Sequence, residues 1–223
     1  MKKSFFVSVL VFSAALVLVG CKSNPNEPEG DGSANGHKYV DLGLSVKWAT
    51  MNVGATTPEG YGDYFAWGET STKDTYDWST CFDTNDGGNT FTKYNNEGGK
   101  TVLDPEDDAA HVNWGGSWRM PTLAEWRELY NNCTWTWTTQ NGINGYKVTS
   151  NKAGYTGKFI FLPAGSRYDG DLYGVGSYGL YWSSSLFYED VSYGAWGLSF
   201  YSDGPGLSYY IRYYGQSVRP VLP

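Results

Sequence analysis

The chain has 223 residues, of which 17% are charged and 17% aromatic, and its formal net charge is −7. That length holds one domain with a real core, and the aromatic content excludes a disordered chain. The acidic balance excludes a phosphate-tracking nucleic-acid binder, which needs a basic stripe.

Residues 1–20 read as an export signal. Lys2 and Lys3 form a basic start and Phe5 to Val19 an apolar core, too short for a comfortable membrane span. Leu18-Val19-Gly20-Cys21 resembles the bacterial lipoprotein box, which implies cleavage before Cys21 and its lipidation. The alternative is a plain secretory signal. Residues 21–36 are rich in Pro, Gly, Asn and acids, and read as a flexible tether. The folded domain is expected over 37–223.

Tyr39 to Ala49 alternates well enough for one or two short strands around a Gly turn, and Tyr64 to Trp67 supplies another. Residues 70–100 read as a long irregular loop. Pro105 to about Val112 predicts a short helix with Asp104 as N-cap. Thr122-Leu123-Ala124-Glu125 is a capping box, followed by an apolar stripe of Leu123, Trp126, Leu129 and Tyr130 and a stop at Asn131-Asn132. From residue 133 onward only strand and turn signals remain, including Asn141-Gly142 and Asn144-Gly145. The expected class is therefore α+β, with two short helices and many short antiparallel strands and loops.

Cys81 and Cys133 are the cysteines left after Cys21, and a disulfide or two buried thiols are both open. His37 and His111 are the only histidines, so no Cys/His metal cluster is expected. Asp83 to Gly88 resembles part of a calcium loop, but Tyr94 stands at the twelfth position where an acid is needed. Asp83, Asp86, Asp104, Asp107 and Asp108 read instead as turn and cap residues. No cofactor is expected. Trp114 and Trp118 read as core, while Trp135 and Trp137 share one face of a strand.

From Tyr181 to Pro223 large apolar residues recur at a strand period in Trp196, Leu198 and Phe200, and the positions around them are mostly Tyr, Ser or Gly. Tyr gives broad amphipathic contact at low entropy cost, and Ser and Gly adapt around it. On a strand, Trp196, Leu198 and Phe200 would face the core while Gly197, Ser199 and Tyr201 face outward. Arg212 reads as a framework residue that pins a loop through carbonyls or a carboxylate.

Trp118-Arg119-Met120-Pro121-Thr122-Leu123-Ala124-Glu125-Trp126 resembles the signature of formylglycine-generating-enzyme-like domains, which implies a C-type-lectin-like fold. With Tyr39 to Ala49, Asp107-Asp108-Ala109-Ala110, Trp114-Gly115 and Ser217-Val218-Arg219-Pro220-Val221, the chain resembles the Fibrobacter major paralogous domain family of gut-bacterial lipoproteins. The enzymes of the wider group use C-terminal cysteines, and nothing after Cys133 is Cys, so their activity is not carried over and no enzyme is expected. Tyr181 to Leu186, Ala195-Trp196, Leu198, Phe200, Ser202-Asp203, Arg212 and Gly215 to Pro220 resemble the variable protein of a diversity-generating retroelement. That resemblance implies randomised adenines in Asn codons, which yield Phe, Tyr, Ser, Gly or Ile but never Lys, Gln, Glu, Met or Trp. Phe187, Tyr188, Ser192, Tyr193, Gly197, Ser199, Tyr201, Gly204, Gly206, Ser208, Tyr209, Tyr210, Ile211, Tyr213 and Tyr214 all obey the rule. Trp196, Gln216 and Glu189 do not, and stay outside the candidate set.

The expected function is a lipid-anchored bacterial outer-membrane protein, facing the cell surface, that binds a protein or glycan ligand at this diversified surface. An invariant adhesin or carbohydrate-binding or structural lipoprotein is the alternative, with a degenerate enzyme relative third.

Overall fold

The computed structural model describes residues 28–84, 86–95, 97–168, 171–188 and 193–223. The export signal, Cys21 and the first part of the expected tether, to residue 27, therefore lie outside the described residues, as do Asn85, Glu189 and Ser192. No helix among the described residues is long and apolar enough to cross a membrane.

Among the described residues strands dominate, with two α-helices. Strand pairing already involves residues before the expected boundary at 37. β1 (Gly32–Ala34) pairs with β2 (His37–Val40) around Asn35-Gly36, both at positive φ. This is the two-residue turn whose twist matches a hairpin. β3 (Lys47–Ala49) and β14 (Val221–Leu222) complete that sheet, so the last strand pairs with β3, at the opposite edge from β1.

The expected helix from Pro105 divides in two. Pro105–Asp107 forms a single 3₁₀ turn, and the Asp104 side chain makes no cap. Asp108 is the working cap of α1 (Ala109–Trp114): its carboxylate accepts from Ala110 and His111 N–H and also holds Met120 N–H at 2.8 Å. A carboxylate serving two segments fixes where the helix starts better than its neighbour, whose carboxylate faces Lys93 and Lys100. α2 (Leu123–Asn132) carries the expected capping box, with Thr122 Oγ1 and Glu125 satisfying each other's N–H groups. Burial alone would raise the Glu125 carboxyl, but Arg119 and the Thr122 N–H outweigh it and hold the group below the usual range. Trp126 and Leu129 form the buried face, each contributing about 1.5–3 kcal/mol.

β5 (Cys133–Gln140), β6 (Ile143–Ser150) and β7 (Phe159–Pro163) form an antiparallel meander. Trp135 and Trp137 lie partly buried on its inner side against the first core cluster. The central five-stranded sheet runs β12 (Gly204–Ile211), β11 (Gly194–Tyr201), β10 (Gly179–Leu186), β13 (Gln216–Ser217) and β4 (Tyr64–Phe65). β8 (Ser166–Tyr168) and β9 (Asp171–Tyr173) make a separate hairpin.

β10 is the spine. One cluster packs Tyr181, Leu198 and Phe200 with Trp126, Tyr146 and Ile160; the other packs Trp182, Leu186 and Ala195 with Trp67, Trp114 and Trp118. Register with β11 breaks between Trp182 and Leu186. Several of the groups freed there bond to other segments. Trp67 donates to Ser183 O and Trp126 to Trp182 O, Leu103 N–H reaches Ser184 O, and Ser185 Oγ receives the first N–H of α2. A buried carbonyl without a partner is costly, and indole N–H donors remove that cost without leaving the apolar core.

Candidate functional site

Two buried arginines hold the C-terminal segment. Arg219 donates to Asn52 Oδ1, Ala49 O and Phe161 O at 2.9, 2.9 and 2.7 Å, tying three parts of the chain to one guanidinium. Arg212 sits over Phe91 and Trp67, donates to Tyr94 O, and lies 3.9 Å from Asp83. It therefore meets both a carbonyl and a carboxylate of the long loop. Burial pulls both arginines down to about 10, so both stay charged at neutral pH.

Strand alternation and the continuous β11–β12 register sort the candidate positions. On one face Ser199 lies opposite Gly206, Gly197 opposite Ser208, and Ala195 opposite Tyr210. On the other, Leu198 lies opposite Leu207 and Trp196 opposite Tyr209. Phe187 joins that second face by stacking on Tyr209 at 4.0 Å and meeting Trp196 edge-on. Tyr201, opposite Gly204 at the hairpin end, stacks on Tyr178 at 4.2 Å.

Tyr201, Tyr210 and Tyr214 converge on a cavity of about 310 Å³, whose remaining walls are Ser166, Arg167, Tyr173, Tyr178 and Leu180. The Tyr178 hydroxyl is hydrogen-bonded with Tyr210 and Ser199. Its phenol is raised, first by burial and then by the Tyr210 bond, so it stays neutral. Tyr201 and Tyr173 remain 51% and 54% exposed at this site.

No family model, curated protein or solved structure matches this chain.

The other candidates lie elsewhere. Tyr209 and Tyr188 are exposed, on the Phe187 side and just beyond β10. Tyr213 packs edge-on against Trp78 of the long loop. Tyr193 carbonyl receives Arg212 N–H, and Ile211 lies opposite Gly194. Three expectations need correction. Gly197 is buried rather than outward-facing, and a Cβ there would stand 2.7 Å from Tyr181 O; backbone occupies the space a side chain would need. Phe187 is only 7% exposed, because Tyr209 and Trp196 cover it. Trp196, expected in the core with Leu198 and Phe200, is only half-buried because Tyr209 on the edge strand is its cross-strand neighbour.

Arg167, Tyr173 and Tyr178 were missed. They precede the Tyr-rich tail, and the available signal was the sequence dipeptide Asp169-Gly170, a frequent turn former.

The remaining chemistry-bearing groups are committed to structure. His37 stacks on Trp114 at 3.8 Å, and His111 Nδ1 lies 3.2 Å from Trp118 O. Cys81 and Cys133 are free and buried, with thiols pushed by burial up to about 12. Asp104, Glu106 and Asp107 cluster within 4.8 Å, but Lys93 Nζ sits among them at 3.2, 3.0 and 2.5 Å. Asp86 accepts Asn89 and Thr90 N–H, as a turn residue does, whereas Asp83, expected as a turn residue, reaches across the long loop to accept Lys93 and Tyr94 N–H.

Proposed function

We propose that this protein is a lipid-anchored, outer-membrane ligand-binding protein with a C-type-lectin-like fold, whose C-terminal strands carry an interchangeable contact surface of the diversity-generating-retroelement kind. The observation that supports it most is a division of labour. Tyr181, Trp182, Leu198, Phe200, Gln216 and Arg219 are buried, whereas Tyr201 and Tyr209 are exposed and Gly206, Ser208 and Tyr210 half-buried on the edge strand. Replacing edge side chains costs the scaffold little, which is the physical requirement for tolerating many ligand-facing sequences. A rigid scaffold also spares each variant an ordering cost on binding. Binding would use aromatic contact and hydroxyl hydrogen bonds, without covalent chemistry.

An invariant adhesin surface is the second reading, and the buried Phe187 and Gly197 favour it at those two positions. Sequencing the gene and its flanking DNA in many isolates decides between them. The expected result is variation confined to codons of the candidate set other than Gly197 and Phe187, beside a near-copy with AAC or AAT at those codons. Identical tails with no such copy would overturn the proposal.

A further inference from the structure

The cavity at the hairpin end joins two kinds of wall. Tyr201 and Tyr210 come from β11 and β12 and Tyr214 from the turn between β12 and β13; Arg167, Tyr173 and Tyr178 come from β8, β9 and the turn before β10. About 310 Å³ is at the small end of ligand pockets, enough for one ring rather than an extended chain. Five tyrosines and Ser166 line it, so its apolar walls carry hydroxyls that both donate and accept. One face of Tyr201 is covered by Tyr178, yet the residue stays half exposed, which leaves its other face to a ligand. Arg167 adds a fixed positive charge to the wall, over the Tyr76 ring at 5.8 Å. A guanidinium has five donors, so it can serve a protein partner and a carboxylate together.

A ring that stacks on a tyrosine, spends several hydroxyls and offers an anion to arginine satisfies all of these walls. A purely aromatic side chain would offer no polar group to the exposed Tyr173 and Tyr201 hydroxyls. A cationic ligand would meet Arg167. We propose that this cavity binds the terminal residue of an acidic glycan, a pyranose bearing a carboxylate, stacked on Tyr201 with its carboxylate at Arg167. The proposal rests on reading the C-terminal strands as a ligand-binding surface and names the ligand class of that surface.

The test titrates the full-length chain in detergent micelles with methyl β-D-glucuronide, methyl β-D-glucoside and N-acetyl-tyrosine, followed by ligand-observed NMR. A ligand of this size reaches a Kd on the order of 1 mM. The glucuronide is expected there and the glucoside about tenfold weaker. Arg167→Gln should erase that difference, and Tyr201→Ala, at an exposed position that leaves the fold intact, should weaken both sugars about tenfold. Equal binding of the two glycosides overturns the proposal. Tighter binding of N-acetyl-tyrosine also overturns it and makes the cavity a peptide site, leaving the ligand-surface reading in place. Glucuronide binding untouched by Tyr201→Ala removes both the ligand class and the location. If none of the three probes binds, the glycan proposal falls while the isolate sequences still decide the wider reading.

Discussion

β10 and β12 are written in nearly the same letters, GLYWSSSL and GPGLSYYI, and have opposite roles. β10 is buried along almost its whole length; β12 is half-exposed throughout. The difference is position. β10 lies inside the sheet with a core cluster on each face, whereas β12 ends the sheet and, among the described residues, pairs with β11 alone. Serine and tyrosine on β10 become hydrogen-bonding parts of the scaffold. Ser183 donates to Trp196 O and the Tyr181 hydroxyl to Pro163 O, both at 2.8 Å. The same residue types on β12 reach a cavity or solvent. Composition marks a contact surface only where tertiary position leaves it uncovered.

That contrast can be broken most forcefully at its interior end. Arg219→Ala leaves Ala49 and Phe161 carbonyls and Asn52 without their donor inside the core. We expect it to cost about 3–5 kcal/mol, measured by urea unfolding; a loss below about 1 kcal/mol would mean that the guanidinium is not what binds the C-terminal segment to the rest.

Gly197→Val comes next. Its Cβ would press on Tyr181 O and the Tyr210 ring at the β10–β11 junction. A cost of about 1–3 kcal/mol is expected, read from the same transitions. A neutral result would return Gly197 to the interchangeable set.

Tyr209→Ser marks the mild end. The ring leaves an exposed stack on Phe187, so a loss of about 0.5–1.5 kcal/mol is expected, smaller than either interior change. A cost as large as that of Arg219→Ala would make β12 scaffold like β10 and end the comparison.

Several parts of this arrangement were legible in the sequence. The capping box at Thr122 and Glu125, the strand period of Leu198 and Phe200, and the irregular loop over 70–100 follow from local chemistry. The start of α1 did not, because Asp104 and Asp108 offer the same cap and only the approach of Met120 N–H selects the second. The candidate tyrosines were found as a set, yet their division over two faces was hidden. Tyr209 and Tyr210 are neighbours in the chain but point to opposite sides of the strand. Arg167 and Tyr178 were invisible as site residues because they reach the cavity from β8 and from the turn before β10, outside the Tyr-rich tail.

The sequence by itself determined the periodicities, caps and turns, since these depend on contacts within a few residues. It also determined which side-chain types were available for contact. Only the tertiary structure decided which strand became the spine and which the edge, and which tyrosines share a cavity with Arg167. Those outcomes depend on burial and on strand pairings between distant segments, and no local window of residues contains them.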